Sequence, residues 1–364
     1  MTDPRPSRIL STQEIWRPDW YDLTQVRHPG YLWLDKNENT DLRLRCIVDE
    51  IVQQMPASTV SAYPELPPLY SKLSEFLAAS PAHLLIANGS DGVIRAAFDA
   101  FVDPGDVVIH TSPTYAMYPV YCQLKGADEI AFDYKRDEQI WGIDWDRLVS
   151  TVLKVKPKLV CIPNPDSPTG AIIEKDRFLS VLEASKVVGA LLIIDEAYFP
   201  FHPETLITEA LSSDNMLVTR STGKAWGMAG LRLGFGIASP KVIRSMQTMR
   251  SMYECNSVAA YVFSHLIDRY SEVEAAVQRL SESLKWFETE LIARQFQVIP
   301  PSGNFIHVAF GEREEDISNR MGGRVHYRRK TPHPSLEGFS RFSAANRENF
   351  EEIVKIIDSC GQAA

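Results

Sequence analysis

The sequence predicts an α/β fold, a mainly parallel sheet covered by helices, with a smaller α+β unit after it. Three observations carry this. First, short apolar runs (HLLIANG, DVVIHTS, KLVCIPN, ALLIIDE, MLVTRS and GFGIAS) alternate with amphipathic stretches between about Leu34 and Ala238. Strands separated by helical segments imply parallel neighbours joined by crossovers. Second, the run Ala190 to Ile194 ends in Asp195, and open α/β sheets bind ligands at the C-terminal ends of their strands. Third, the 364 residues show no internal repeat or low-complexity tract, and they are enough for two cores.

Taken in order, residues 1–35 are rich in proline and tryptophan (IWRPDWYDL) and read as an N-terminal arm. Residues 36–240 hold the strand–helix alternation. Within them IANGSDGVIRAAFDAF reads as a strand, a tight turn and a helix starting near Asp91. Pro240 to about Tyr270 reads as one long helical stretch, followed by a helix from about Glu272 to Arg294. The strand-like FQVIPP and NFIHVAF come next, then a basic loop, a strand around Arg341 and a last helix from about Arg347. Residues 241–364 thus read as an interdomain helix and a small C-terminal domain.

Composition narrows the class. With 38 basic and 47 acidic residues the net charge is −9, which argues against a nucleic-acid binder. The start, MTDPRPSRIL, lacks the apolar centre of a signal peptide, and no apolar run approaches the ~18 residues of a membrane span. A cytoplasmic protein is expected. Cys46, Cys122, Cys161, Cys255 and Cys360 are odd in number and widely spaced. They predict free thiols, and no metal site is read from them.

The chemistry concentrates in ALLIIDEAYFPF and TRSTGKAWGMAGLRLGFG. STGKA is not a phosphate-binding P-loop, because Val218 stands where the first glycine belongs and Ala225 where a hydroxyl should hold magnesium. Nor is Ser221-x-x-Lys224 an acylase motif, since Ser213-Asp214-Asn215 precedes it and K-T-G is missing. What fits is pyridoxal phosphate. The Lys224 amine suits the cofactor's aldehyde, the Asp195 carboxylate its ring nitrogen, and Ser221 with Arg232 its phosphate.

These residues resemble the fold-type I pyridoxal-phosphate enzymes of the class I/II aminotransferase family, and most of the chain follows that pattern. The resemblance implies a seven-stranded-type sheet, catalytic roles for Lys224, Asp195 and Tyr198, and a phosphate loop at Gly89, Ser90 and Asp91. It implies a ring-stacking Tyr115 in SPTYAMY, a turn-shaping Asn164 in CIPNPDSPTG, and a homodimer in which Tyr63 reaches the partner's cofactor phosphate. Two cofactor-site positions depart from it: Ser167 replaces the asparagine that meets the ring hydroxyl, and Gly223 precedes the lysine where many relatives have Ser or Thr.

The C-terminal YRRKTPHPSLEGFSRFSAANREN is similar to the corresponding segment of histidinol-phosphate aminotransferases. The match implies Arg328 and Arg341 as grips for an anionic substrate group, with Asn39 and Asn304 near the substrate. LDKNENTD matches the family's N-E-N-P-Y except that Thr40 and Asp41 replace Pro and Tyr. A carboxylate there repels a substrate phosphate unless it turns away. The expected activity is transfer of an amino group between an amino acid and a small keto compound, phosphorylated or not. The same motifs also serve decarboxylation of a phosphorylated serine or threonine, which stays open at this point. A non-enzymatic regulator on this fold would carry a DNA-binding domain, for which the chain has no room.

Overall fold

The computed structural model describes residues 9, 15, 21, 26–137, 140–331 and 333–360. Most of the arm expected over residues 1–35 lies outside the described residues. Strand β1 (Leu32–Leu34) is followed by β2 (Leu84–Ala87), β3 (Val107–Ser112), β4 (Asp128–Asp133), β5 (Leu159–Pro163), β6 (Leu191–Asp195), β7 (Met216–Ser221) and β8 (Gly234–Ala238). Among the described residues, β2 to β8 form one seven-stranded sheet in the order β2-β8-β7-β6-β5-β3-β4. Strand β8 runs antiparallel to both its neighbours. The pairs β3–β4, β3–β5, β5–β6 and β6–β7 are parallel.

The apolar runs are continuous because both faces of this sheet are covered. In β6, Leu192 and Ile194 enter one core while Leu191 and Ile193 enter the other; β5 divides Val160 and Ile162 from Leu159 and Cys161 in the same way. The first core is roofed by α1 (Leu42–Gln53), α2 (Pro67–Leu77) and helices further along the chain. The second is closed by α3 (Gly89–Phe101) and α4 (Met117–Lys125). Helices α5 (Trp145–Val155) and α6 (Lys175–Val188) return to the first core.

The helical stretch expected over Pro240 to Tyr270 is broken into α7 (Pro240–Met249) and α8 (Ser257–Asp268). The break is local chemistry: Arg250 is extended, and the Asn256 side chain accepts from Ala259 N at 2.7 Å, capping a new helix. Val242, Ile243 and Met246 of α7 join the second core, and Val262 and Phe263 of α8 join the first. Helix α9 (Tyr270–Ala293) then crosses between cores. Val273 and Val277 pack under the large sheet, whereas Leu280, Leu284, Phe287 and Leu291 belong to a third core.

That third core lies against β9 (Gln297–Ile299), β10 (Phe305–Ala309) and β12 (Ser340–Ser343), an antiparallel sheet, and α10 (Arg347–Ser359). Strand β11 (Val325–Tyr327) pairs in parallel with β1, so Leu34 from the start of the chain is buried with the C-terminal residues. A strand from one end of the chain thereby completes the core at the other.

Gly234 sets how closely β8 approaches α3. A Cβ there would lie 2.2 Å from Ser90 N, 2.4 Å from Gly89 C and 2.8 Å from Arg220 O, all backbone atoms that cannot rotate aside. Gly234→Ala is expected to push the α3 N-terminus off the sheet and cost about 1–3 kcal/mol. Chemical denaturation and cofactor titration would read this; wild-type stability and affinity together would refute the close approach.

Candidate active site

The strand ends and the α3 N-terminus bring the predicted residues to one place. Helix α3 begins at Gly89, with no side-chain cap from Asn88, so its first backbone N–H groups are free for a ligand. Gly89 adopts φ +81°, and Arg232 Nη2 sits 3.0 Å from where its Cβ would be. Arg232 itself holds a left-handed φ of 55°. Ser221 pairs with Gly234, and its Oγ accepts from Gly223 N at 3.1 Å. Gly89, Ser90, Ser221 and Arg232 therefore line one cradle. The helix starts two residues earlier than expected, and Asp91 is in its first turn. There it accepts the hydroxyls of Tyr115 at 3.2 Å and Tyr121 at 3.0 Å. Burial and the Asp91 charge push the Tyr115 phenol well above its ordinary pKa, so it stays neutral.

Asp195 is buried at the end of β6, and Thr219 Oγ1 donates to its Oδ1 at 2.8 Å. Burial raises its pKa to about 6, against the Thr219 hydrogen bond. Tyr198, also buried, has its hydroxyl accepting from Asn37 Nδ2 at 2.8 Å, with the Ser167 side chain bonded to it as well. Asn164 shapes the turn as expected: its Oδ1 accepts from Ile173 N at 3.0 Å, and its N donates to Asp195 O at 2.9 Å. Lys224 is half-buried, with Nζ 5.8 Å from the Tyr198 ring centroid and donating to Lys36 O at 2.7 Å. Burial, then the charge of Arg341, lowers its pKa to about 8, so much of the amine is uncharged in weakly alkaline solution.

The small sheet supplies the opposite wall. Phe305, His307, Arg341 and Ser343 lie on one face, because Phe305 is paired with Ser343 and His307 with Arg341. Phe305 meets the Tyr198 ring edge-on at 5.3 Å, and the Arg341 guanidinium lies 5.5 Å over Phe305. Arg341 is buried; its Nη2 donates to Asp35 O at 2.8 Å, while its Nε has no partner. Asn304 Nδ2 donates to Asn37 O, and Asn39 Nδ2 to Ala225 O, both at 2.8 Å. Two predicted residues stand apart. Arg328 is bridged to Arg341 through the backbone, yet its side chain is exposed. Tyr63 is 74% exposed and stacks on Tyr253 at 4.4 Å, without contact to the cradle.

A sequence profile described as aminotransferase class I and II matches residues 29–357. The chain belongs to this family. It is a pyridoxal-phosphate-dependent aminotransferase, which decides between the two reactions that the motifs left open. A histidinol-phosphate aminotransferase of Thermoanaerobacter sp. (strain X514) is 29% identical over 326 residues, 88% of this chain and 90% of that one. The enzyme of that name from Caldanaerobacter subterraneus subsp. tengcongensis is 28% identical, over 93% and 94% of the two chains. The solved histidinol-phosphate aminotransferase of Sinorhizobium meliloti, in complex with pyridoxal-5'-phosphate, superimposes with a TM-score of 0.83 at 19% identity, covering 98% of this chain and 99% of that one. A Thermus thermophilus aspartate aminotransferase gives 0.76 at 18% identity, over 98% and 100%.

The residues fit this cofactor. Free helix N–H groups beside Arg232 suit its phosphate, a buried carboxyl such as Asp195 suits its ring nitrogen, and an amine such as Lys224 suits its aldehyde. Sequence reasoning singled out the segment LDKNENTD but missed how its first residues brace them. Asn37 touches Tyr198, Asn304 and Ser343 at once, and Lys36 and Asp35 act through backbone carbonyls, which no side-chain motif reveals. It also missed Thr219, although its place two residues before Ser221 on the neighbouring strand was a usable signal.

The aminotransferase engages the Asp41 carboxylate within its own fold. This carboxylate caps α1 by accepting from Leu44 N at 2.8 Å and holds Arg279 with two bonds of 2.8 Å. The expected repulsion of a substrate phosphate is thereby removed, and replacing Asp41 by tyrosine would break a structural pair. Burial acts to raise the Asp41 pKa, but the Arg279 and Leu44 bonds outweigh it and hold the carboxyl below its ordinary value. Its stabilisation is thus complete above the unfolded carboxylate pKa and is lost as pH falls through the depressed native one. Asp41→Ala should cost about 2–4 kcal/mol at neutral pH, with the difference from wild type shrinking in acid. Denaturation curves at two pH values would check this; a variant as stable as wild type at neutral pH would show the pair to be idle.

Proposed function

We propose that the enzyme transfers an amino group between an amino acid such as glutamate and a small keto compound bearing an anionic group, as the names of its histidinol-phosphate relatives suggest. The observation that carries this reading is Arg341: a buried guanidinium with an unpartnered Nε, near enough to Lys224 and Tyr198 to influence the ionisation of both. A buried cation without a counter-charge is costly, and a substrate carboxylate or phosphate would supply one with bidentate geometry. The exposed Arg328 is assigned the outer part of the same substrate group, with Asn39 and Asn304 holding the surrounding backbone.

In this reading Gly89, Ser90, Asp91, Ser221 and Arg232 form the phosphate end of the cofactor site, and Tyr115 covers the ring. Asp195 would hold the ring nitrogen, while Tyr198, Ser167 and the Asn164 turn would hold the side bearing its hydroxyl. When bound, the cofactor supplies the aldehyde that takes up the amino group and a ring that draws electrons from the reacting carbon. Lys224 contributes the attachment amine and then carries a proton at Nζ to and from that carbon. Its depressed pKa favours the neutral amine this requires. Asp195 stabilises positive charge on the ring nitrogen, and that charge in turn would keep the buried carboxyl ionised.

Residues 36–240 act as the cofactor-binding body and the C-terminal sheet as the substrate-side wall, with α9 joining them. The free thiols suit a reducing cytoplasm, and no described helix is long and apolar enough to cross a membrane. Tyr63 completes the site of a second copy. In support, Val60, Tyr63, Met249, Met252 and Tyr253 are all exposed large apolar side chains, and Tyr63 is already stacked on Tyr253. Light scattering should find a dimer, and an active monomer at assay concentration would exclude this role for Tyr63.

Arg341→Ala tests the substrate reading. It should raise KM for anionic keto substrates by about 30- to 150-fold, since a charge-assisted contact is worth about 2–3 kcal/mol, while the cofactor still binds. An unchanged KM for every accepted anionic substrate would remove the receptor and with it the proposed substrate class.

A further inference from the structure

At one edge of the large sheet, strands β3 and β4 and helix α4 bring together three side chains that the amino-transfer reaction does not use. His110 is buried on β3, Cys122 is buried on α4, and Glu129 lies on the edge strand β4. Their ligating atoms all lie within 4.8 Å of one another, the one such group of metal-ligating side chains found among the described residues. The spacing along the chain gave no hint of it, because the pairing of β3 with β4 and the packing of α4 create it.

The histidine is the informative member. Its Nδ1 is 2.8 Å from the Thr111 carbonyl oxygen, which can only accept, so Nδ1 carries a hydrogen. In the neutral ring Nε2 is then a bare lone pair, and although His110 is only 4% exposed, Nε2 has no hydrogen-bond partner. An Nδ1–H fixed on a backbone carbonyl, leaving Nε2 free, is how proteins orient a metal-ligating imidazole. The nearest charged atom, Glu129 Oε2, is 3.8 Å away, too long for a hydrogen bond. Facing lone pairs of nitrogen and carboxylate at this distance repel each other unless a proton or a metal cation lies between them.

We propose that His110 Nε2, Cys122 Sγ and a Glu129 carboxylate oxygen form a binding site for one zinc-class divalent ion. The mixed nitrogen, sulfur and oxygen set suits a borderline cation and does not suit magnesium or calcium. Tetrahedral zinc with bonds of about 2.0–2.3 Å needs its ligands roughly 3.3–3.6 Å apart. The half-exposed Glu129 side chain is free to adjust, small shifts of the other two would bring the set to this spacing, and the exposure of Glu129 leaves water the fourth position. On binding, the Cys122 S–H bond breaks, a sulfur–zinc bond forms and the proton passes to solvent, with no change of oxidation state. Because binding releases the thiol proton, affinity should rise with pH. The ion would pin α4 to the sheet edge. Helix α4 carries Tyr121, whose hydroxyl holds Asp91 in the first turn of α3. The proposed site is therefore a staple behind the cofactor's phosphate end and is separate from the reacting groups.

The test uses the full-length holoenzyme dialysed against zinc chloride. Elemental analysis should find one zinc per chain, and X-ray absorption at the zinc edge should show one sulfur near 2.3 Å among lighter ligands near 2.0–2.1 Å. Cys122→Ser and His110→Ala should each bind at least ~100-fold more weakly. Glu129→Gln, a change on a half-exposed side chain, supplies a variant expected to fold normally and should also weaken binding. Zinc should raise the melting temperature of the wild type but not of Cys122→Ser. No bound zinc, no sulfur neighbour, or equal affinity in wild type and Cys122→Ser or Glu129→Gln would each overturn the proposal.

Discussion

The arrangement depends on one short segment, residues 35–41, being held by hydrogen bonds from both cores. Asn37 donates from its backbone to Ser343 Oγ at 2.8 Å and from its side chain to Tyr198, while its carbonyl accepts from Asn304. Asp35 and Lys36 offer their carbonyls to Arg341 and Lys224. Asn39 reaches Ala225 O beside the lysine, and Thr40 bonds Ala344 and Asn346 on the small-sheet side. The large sheet positions Lys224, Tyr198 and Asp195, and the small sheet positions Arg341. The segment sets their separation, at the cost of a left-handed Asn37 (φ 55°), a conformation that asparagine tolerates better than most residues.

The strand ends carry a second constraint, from buried charge. Glu196, next to Asp195, is buried and paired with buried Arg220, next to Ser221, at 2.7 Å. Thr205 Oγ1 and Leu206 N also donate to Glu196, and Arg220 lies 3.4 Å over the Phe199 ring. A buried pair satisfied on all sides contributes geometry more surely than stability. Here it fixes β6 against β7 one residue away from Asp195 and Ser221, the two groups proposed to meet the cofactor. Glu196 and Arg220 can sit at these depths only because they neutralise each other. Asp195 and Lys224 have no such direct partner, and burial drives both toward their neutral forms, the acid up to about 6 and the amine down to about 8. The residues left electrostatically unfinished are those the cofactor would complete.

Much of this was legible in the sequence, for a physical reason. Residues that follow buried strands are displayed at one sheet edge whatever the details of packing, so Asp195, Ser221 and the Gly89 turn could be placed from apolar runs alone. Side chains that act by contact with a ligand also have characteristic types. What escaped was whatever works through backbone carbonyls or through a partner distant in sequence. The Lys36 carbonyl beneath Lys224 has no signature. Asp41 and Arg279 are 238 positions apart. The break between α7 and α8 was hidden because the residues on either side are good helix formers, and a single capping asparagine decided it. Tyr63 could be recognised by type, but one chain gives it no cofactor to meet.

The departures at Ser167 and Asp41 differ in how the structure absorbs them. At 167 the lost amide is replaced in part. Tyr198 has a hydroxyl neighbour in Ser167 and the Asn37 amide as a donor, and burial raises its pKa against the Arg341 charge and these two hydrogen bonds. The hydrogen bonds there are supplied by nearby side chains. At 41 the side chain leaves the site altogether and takes a structural task, capping α1 and neutralising Arg279. A tyrosine used for substrate phosphate cannot be recovered from a carboxylate facing the other way. If the substrate is anionic as proposed, its recognition would fall to Arg341, so substrate choice in this enzyme should depend more on the small sheet than on the N-terminal segment.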